Sequence, residues 1–310
     1  MKKAIVTGAT GFIGRSLIAE LISEEIFTFA IVRPNSLNIS LLPESPLLSV
    51  IECDLNNISN LPDLISDRDI DVFYHLAWEG VSGQYQSDYH AQLKNIEYTL
   101  NATEILPIFG IKKFISTGSL HEAECIIEMS NSEINTNLGV MYKSAKLAAH
   151  YMARVKVCAL GIDFIWPIII NAYGVGERSP RLVNSTIRKI LQKEPVDFTE
   201  GKQLYDFVYI TDVAIALRLL GEHGKSCVQY NIGSGNPKPL REYLEVIGQR
   251  TDPTVPLNFG AHKSKPVFLT TEHLNTTTLH KDTGFETKIK FEKGIDLTHT
   301  WIKTEIMSNN

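Results

Sequence analysis

Long apolar runs are missing from this chain: nothing approaches the roughly 18 residues needed to cross a bilayer. The apolar stretch after Met1-Lys2-Lys3 stops within three residues at Thr7-Gly8, too early for a signal-peptide core. Cysteine is scarce as well, and Cys53, Cys125, Cys158 and Cys227 stand far apart with no Cys-x-x-Cys spacing. Neither a metal centre nor a disulfide framework is suggested, and four buried thiols in a reducing compartment are expected. Charge of one sign is absent too: 30 basic against 35 acidic residues give a net charge of −5, with no basic block to track a phosphate backbone. There is no internal repeat and no low-complexity linker. A cytoplasmic protein is expected, with no nucleic-acid or membrane partner.

What is present is an ordinary globular composition, 44% apolar and 21% charged over 310 residues, enough for a sizeable core. Short apolar runs at Lys3 to Thr7, Phe27 to Val32, Leu48 to Cys53, Asp71 to Leu76, Lys113 to Ser116 and Asp163 to Ile170 read as strands. Amphipathic stretches near 12–23, 61–67, 89–109 and 141–160 read as helices between them. That alternation predicts an α/β fold with a parallel sheet covered by helices on both faces. From about 174 the pattern turns irregular, with helices expected at 180–193, 211–220 and 239–249. We therefore expect a first domain over 1–173 and a smaller substrate-binding lobe over 174–310, with the chain free to cross back between them.

The first strand breaks into Thr7-Gly8-Ala9-Thr10-Gly11-Phe12-Ile13-Gly14 and restarts as a helix. A helix beginning there aims its unpaired amides beyond the strand, where an anion belongs. Gly8 suits the tight turn, Gly11 a close approach of pyrophosphate, and Gly14 close packing of helix on strand, which is the logic of a Rossmann-type doubly wound dinucleotide site. At the end of the second strand no carboxylate stands ready for ribose hydroxyls. Arg33 occupies the deciding position instead, which favours NADP over NAD. Tyr142 and Lys146 lie four residues apart on one helical face, so an ammonium could favour the phenolate of a tyrosine base. Hydroxyls at Ser116, Thr117 and Ser119 end the fifth strand, at the edge where open α/β sheets bind ligands.

Taken together, these stretches resemble the extended short-chain dehydrogenase/reductase family, in particular its sugar-nucleotide epimerases, dehydratases and 4-ketoreductases, over nearly the whole chain. The resemblance implies that Gly8, Gly11, Phe12, Ile13 and Gly14 bind the dinucleotide. It further implies that Asp54-Leu55 flank the adenine, that Leu76-Ala77 and Ile169 complete the cofactor site, and that Asn95 steadies the region. His75, in the family's His-Leu-Ala, is read as a packed strand residue. Tyr142 would be the general acid or base, Lys146 its partner and a ligand of the nicotinamide ribose, and Ser119 the hydroxyl at the reacting oxygen, with Thr117 as the fallback.

The dehydratases carry Asp-Glu directly after the catalytic hydroxyl; here Leu120-His121 follow Ser119, which argues against 4,6-dehydration. Asn171-Ala172-Tyr173-Gly174, Gln203 to Tyr209 and Asn258 to Ala261 resemble the 4-keto-6-deoxy-sugar reductases. With Arg33 they favour a nucleotide-linked 4-ketohexose reductase; an NAD-dependent 4-epimerase is the alternative and a non-catalytic dinucleotide-binding regulator a third reading. Trp78, Asn171, Arg181, Leu182, Tyr205 and Lys265 are the expected substrate contacts. Tyr205 and Lys265 replace family arginines that clamp the diphosphate, for which Arg178, Arg181 or Lys202 could compensate. Relatives dimerise through the helices corresponding to 89–109 and 141–160, so a homodimer is expected.

Overall fold

In a computed structural model, described over residues 1–81, 83–130, 139–263 and 269–308, the first half builds a six-stranded parallel sheet. Its strands are β1 (Lys3–Thr7), β2 (Phe27–Val32), β3 (Leu48–Glu52), β4 (Val72–His75) and β5 (Lys113–Ser116), followed, after the short β6 (Gly118–Ser119), by β7 (Asp163–Ile165). The spatial order is β3-β2-β1-β4-β5-β7, so the order reverses between β1 and β4 and opens a crevice beyond their carboxyl ends.

The apolar runs alternate faces. Ala4 and Val6 of β1 pack with Leu17 and Leu21 of α1 (Phe12–Ser23), while Ile5, between them, joins Phe73 and Phe114 in the core on the opposite face. That opposite core is closed by α3 (Tyr89–Glu104) and α5 (Val140–Ala159) through Ala102, Ala149 and Ala153, all fully buried. The short α2 (Leu61–Leu64) and α4 (His121–Ser130) lie between these elements in sequence. α4 has no counterpart in the sequence reading; Glu122 and Glu124 in its first turn complement the positive end of the helix.

Three predicted segments are corrected. The run expected as one strand over 163–170 divides at Trp166-Pro167, because proline has no N–H to donate to a ladder. β7 stays in the main sheet, whereas β8 (Ile168–Ile169) pairs in parallel with β6, Ser119 facing Ile169, and with Asn231–Ile232. The helix expected to reach 109 ends at Glu104 ahead of a 3₁₀ turn over Pro107–Phe109. The helix expected over 61–67 ends at Leu64.

The second half supplies α6 (Leu182–Leu191), α7 (Ile210–His223), α8 (Leu240–Thr251), α9 (Thr277–Thr283) and α10 (Phe291–Ser308). The two halves of the chain interleave. α7 packs on α1 through Val213 and Leu217, the Tyr74 hydroxyl donates to the Leu217 carbonyl oxygen at 3.2 Å, and Asn231–Ile232 extends the sheet that carries Ser119. Among the described residues no helix is long and apolar enough to cross a membrane. Cys53 and Cys125 are buried as expected, but Cys158 and Cys227 are exposed, with their sulfurs 3.1 Å apart.

Candidate active site

Two spaces lie at the carboxyl edge of the sheet. One is a cleft of about 900 Å³ whose lining includes Gly8, Gly11, Arg33, Asp54, Leu55, Leu76 and Ala77. The turn that starts it leaves no room for side chains: Gly8 has φ +68°, and a Cβ there would lie 2.7 Å from the Ala77 nitrogen. At Gly14 a Cβ would lie 2.2 Å from the Gly8 carbonyl oxygen, so the first turn of α1 is seated directly on the loop. Phe12 and Ile13 pack against the core from that turn and do not line the cleft. Such a backbone cradle at a helix N-terminus fits a dinucleotide pyrophosphate.

Asp54 caps the following 3₁₀ turn through the Asn56 backbone amide, and those hydrogen bonds hold its carboxyl below the usual range. Arg33 meets Glu79 at 3.5 Å across the cleft. Glu79 was not singled out from sequence, because it lies 46 residues beyond Arg33 and arrives from β4. Asn95 of α3 fixes that loop by pairing both amide positions with the Glu79 backbone, each at 2.8 Å. His75 is buried against Thr7 and held near pKa 3 by burial, which is the packed strand residue expected.

The second space is a cavity of about 520 Å³ lined by Ser119, His121, Glu124, Tyr142, Asn171, Arg181, Leu182 and Tyr205, among others. β6 delivers Ser119 and α5 delivers Tyr142. The Ser119 hydroxyl stands beside the Tyr142 phenol on the cavity wall and accepts from the His121 backbone amide at 3.3 Å. Behind Ser119 the buried Glu122 carboxylate accepts from the Ser119 backbone amide at 2.9 Å and from Trp166 Nε1 at 3.1 Å, with His150 Nδ1 on its other oxygen. Thr117 does not line the cavity; its carbonyl oxygen accepts from Lys146 Nζ at 2.8 Å.

Burial raises the Tyr142 phenol, while the Ser119 hydrogen bond and the Arg181 charge pull it back. Lys146 is itself fully buried, which drives its pKa down to about 7 against the partial support of Glu122. Trp78 lies over that ammonium, 3.7 Å from ring centre to Nζ, and meets Tyr142 edge-on at 6.2 Å.

Two residues change sides relative to the sequence reading. Trp78, expected at the substrate, lines the glycine-cradled cleft, because Gln92 of α3 holds its indole N–H at 3.0 Å. Ile169, expected at the cofactor, lines the Ser119–Tyr142 cavity, because β8 turns away from the main sheet after Pro167. Asn171, at φ +37°, lines the cavity while its side-chain amide donates to the Asp206 carbonyl oxygen at 3.1 Å. Arg181 stands at the N-cap position of α6 without a capping hydrogen bond and sits 3.7 Å from Glu177. Tyr205 is kept neutral by burial. Arg178 and Lys202 turn elsewhere, to Glu305 and Glu200. Lys265 lies outside the described residues. His121, Glu124, Gln203 and Thr199 line the cavity without having been expected there. The first two belong to the unpredicted α4, and an alternating sequence signal could not have placed them.

The fold and the glycine cradle define a Rossmann-type dinucleotide enzyme. Residues 4–233 match the model of the NAD dependent epimerase/dehydratase family. The chain belongs to this family, within the extended short-chain dehydrogenase/reductase group of sugar-nucleotide enzymes. A CDP-abequose synthase of Salmonella muenchen is 25% identical over 301 residues, covering 95% of this chain and 96% of that protein. A UDP-glucuronate 4-epimerase of Thermodesulfobacterium geofontis is 26% identical over 323 residues, covering 97% and 96%. Among solved structures, the UDP-glucuronic acid 4-epimerase of Bacillus cereus in complex with NAD superposes with a TM-score of 0.78 at 21% identity, over 98% of this chain and 99% of that one.

Proposed function

We propose that the protein reduces the ketone of a nucleotide-linked 4-keto-6-deoxyhexose. The observation that carries this is the Ser119–Tyr142 hydroxyl pair on the wall of a cavity separate from the glycine-cradled cleft, in a chain similar along its length to a CDP-abequose synthase. Bound NAD(P) supplies the hydride. The chain's own groups do the rest: Ser119 donates a hydrogen bond to the ketone oxygen, and Tyr142 delivers the proton that makes it a hydroxyl. Glu122 fixes the Ser119 backbone from behind. Gly8, Gly11 and Gly14 with Asp54, Leu55, Leu76 and Ala77 hold the dinucleotide. Lys146, expected at the nicotinamide ribose, lines neither space: it is buried beneath Trp78 and donates to the Thr117 carbonyl oxygen, so its role is to support the site from behind. Asn171, Arg181, Leu182 and Tyr205 hold the sugar nucleotide, and Arg33 favours NADP.

An NAD-dependent 4-epimerase is the second reading, favoured by Glu79, whose carboxylate opposes Arg33 at the position that would otherwise select the extra phosphate. A homodimer through α3 and α5 fits the exposed Tyr89, Leu93, Met152 and Val155 on these two packed helices. The test is to denature freshly purified protein, identify any released dinucleotide, and supply 4-keto-6-deoxyhexose nucleotides with NADPH or NADH. Reduction by added cofactor supports the reductase. Retained NAD with interconversion of 4-epimers and no net reduction refutes it.

A further inference from the structure

The cavity holds a second acid–base group beside Tyr142. His121, at the first position of α4, sets its imidazole edge-on to the Tyr142 ring with centres 5.9 Å apart. Its Nδ1 meets Glu124 Oε2 at 2.7 Å, one turn along the same helix. Glu124 is anchored in turn by Lys143 Nζ at 2.8 Å, and Lys143 also reaches Glu128 at 3.0 Å. Burial works against the Glu124 charge, yet hydrogen bonds and charges from His121 and Lys143 hold its carboxyl at about 2. His121, Glu124 and Tyr142 all line the same space.

A carboxylate on Nδ1 makes that nitrogen the donor and leaves the lone pair on Nε2, the arrangement that orients an imidazole as a base. The ring is not sealed in: its side chain is 43% exposed, so a proton it takes can pass to water. From this geometry we propose that His121, oriented by Glu124, is a catalytic base that removes and returns a proton on the carbon next to the substrate ketone. The enzyme thereby gains a proton-exchange activity at that carbon alongside hydride transfer at the carbonyl. The inference rests on the keto-sugar reading above.

The step balances without an oxidant or reductant. The His121 Nε2 lone pair takes the proton, the C–H electron pair becomes the enolate double bond, and the carbonyl π pair moves onto oxygen. There the hydroxyls of Ser119 and Tyr142 donate hydrogen bonds to it. Return of a solvent-derived proton to carbon restores the ketone, on the same face or the opposite one. His121 and Tyr142 line the same cavity with ring centres 5.9 Å apart, so a ketone held at the Tyr142 hydroxyl lies within one cavity with the imidazole. Glu124 is a positioning residue, acting only through His121.

The test uses the whole protein with oxidised dinucleotide and a nucleoside-diphosphate 4-keto-6-deoxyhexose in D2O. Deuterium uptake is read by mass and proton NMR, after which NADPH or NADH is added to the same samples to read reduction. Wild-type protein is expected to exchange one C–H faster than the buffer control. His121→Gln is expected to lower exchange about a hundredfold, with a much smaller loss of reduction. Glu124→Gln is expected to lower the kcat of exchange about tenfold while KM for the keto-sugar holds, a split that loosened packing would not give. Reduction without exchange, or exchange that survives in His121→Gln, overturns the His121 assignment alone. If the keto-sugar is neither reduced nor exchanged, the keto-sugar reading fails and the inference falls with it.

Discussion

Replacing Lys146 by Met is expected to stabilise the protein at neutral pH, with a pH dependence whose sign is fixed by burial. In the fold Lys146 titrates near 7, because full burial outweighs the partial support of Glu122; in the unfolded chain it titrates near 10.5. Between those values the unfolded state holds a proton that the folded state has released, so stability rises with pH through this window and the cost is complete below about 7. That shift corresponds to a penalty on the order of 5 kcal/mol at its fullest, of which about 2 kcal/mol is relieved between pH 7 and pH 9. The Trp78 ring at 3.7 Å and the Thr117 carbonyl oppose the penalty, which makes these figures upper bounds. Guanidinium unfolding of wild type and Lys146→Met from pH 6.5 to 9.5 isolates the contribution, since other titrations cancel in the difference. The wild type should gain on the variant as pH rises. A flat difference would refute the reasoning: it would mean that Trp78 and Thr117 keep the ammonium charged at its ordinary pKa and that burial is compensated.

Gly14→Ala drives a Cβ into the Gly8 carbonyl oxygen, and such overpacking costs about 1–3 kcal/mol; calorimetry should show a lower melting temperature and weaker NAD binding, and unaltered affinity would contradict the cradle. Glu79→Gln releases Arg33, and because exposed pairs are worth only about 0.2–1 kcal/mol the NADPH-to-NADH preference should rise no more than about fivefold in a binding titration. Asp71 accepts from the Lys2 amide at 2.6 Å and from Lys112 Nζ at 3.0 Å; although burial alone would raise its carboxyl, these and the Lys3 amide hold it at about 2 rather than 3.8. Asp71→Asn should therefore cost up to about 2 kcal/mol near neutrality, a difference lost as pH falls from 3.8 towards 2. Denaturant titrations that show the same difference at pH 7 and pH 2.5 would contradict that assignment.

The parallel sheet was legible because its strands are short, bounded and apolar on both faces: β1, β2 and β5 begin and end at the residues the apolar pattern marks. The glycine turn was legible because positive φ and close backbone approach select one residue type. The exchange of Trp78 and Ile169 was not, since residues next to β4 and β8 stand near both spaces and only the Gln92 hydrogen bond and the Pro167 break decide between them. Nor was the state of Lys146, because a spacing of four fixes which helical face it shares with Tyr142 but not what covers it. α4 escaped because its apolar positions, Ala123, Cys125, Ile126, Ile127 and Met129, spread round the helix, with Cys125 buried but Ile126 and Met129 exposed, and so do not trace a single stripe.

The return of α7 to α1, and of Asn231–Ile232 to the strand beside Ser119, bears on how such an enzyme can be re-engineered. A chimera made by a single cut near residue 173 would strip Val213 and Leu217 from the face of α1 and leave β8 without a neighbour on one side. Exchange of substrate preference with a relative must therefore transplant the intervening loops piecewise, leaving α7 and Asn231–Ile232 with their original partners. Ser119 is held by a sheet to which both halves of the chain contribute, so specificity here is an insertion problem and not a modular one.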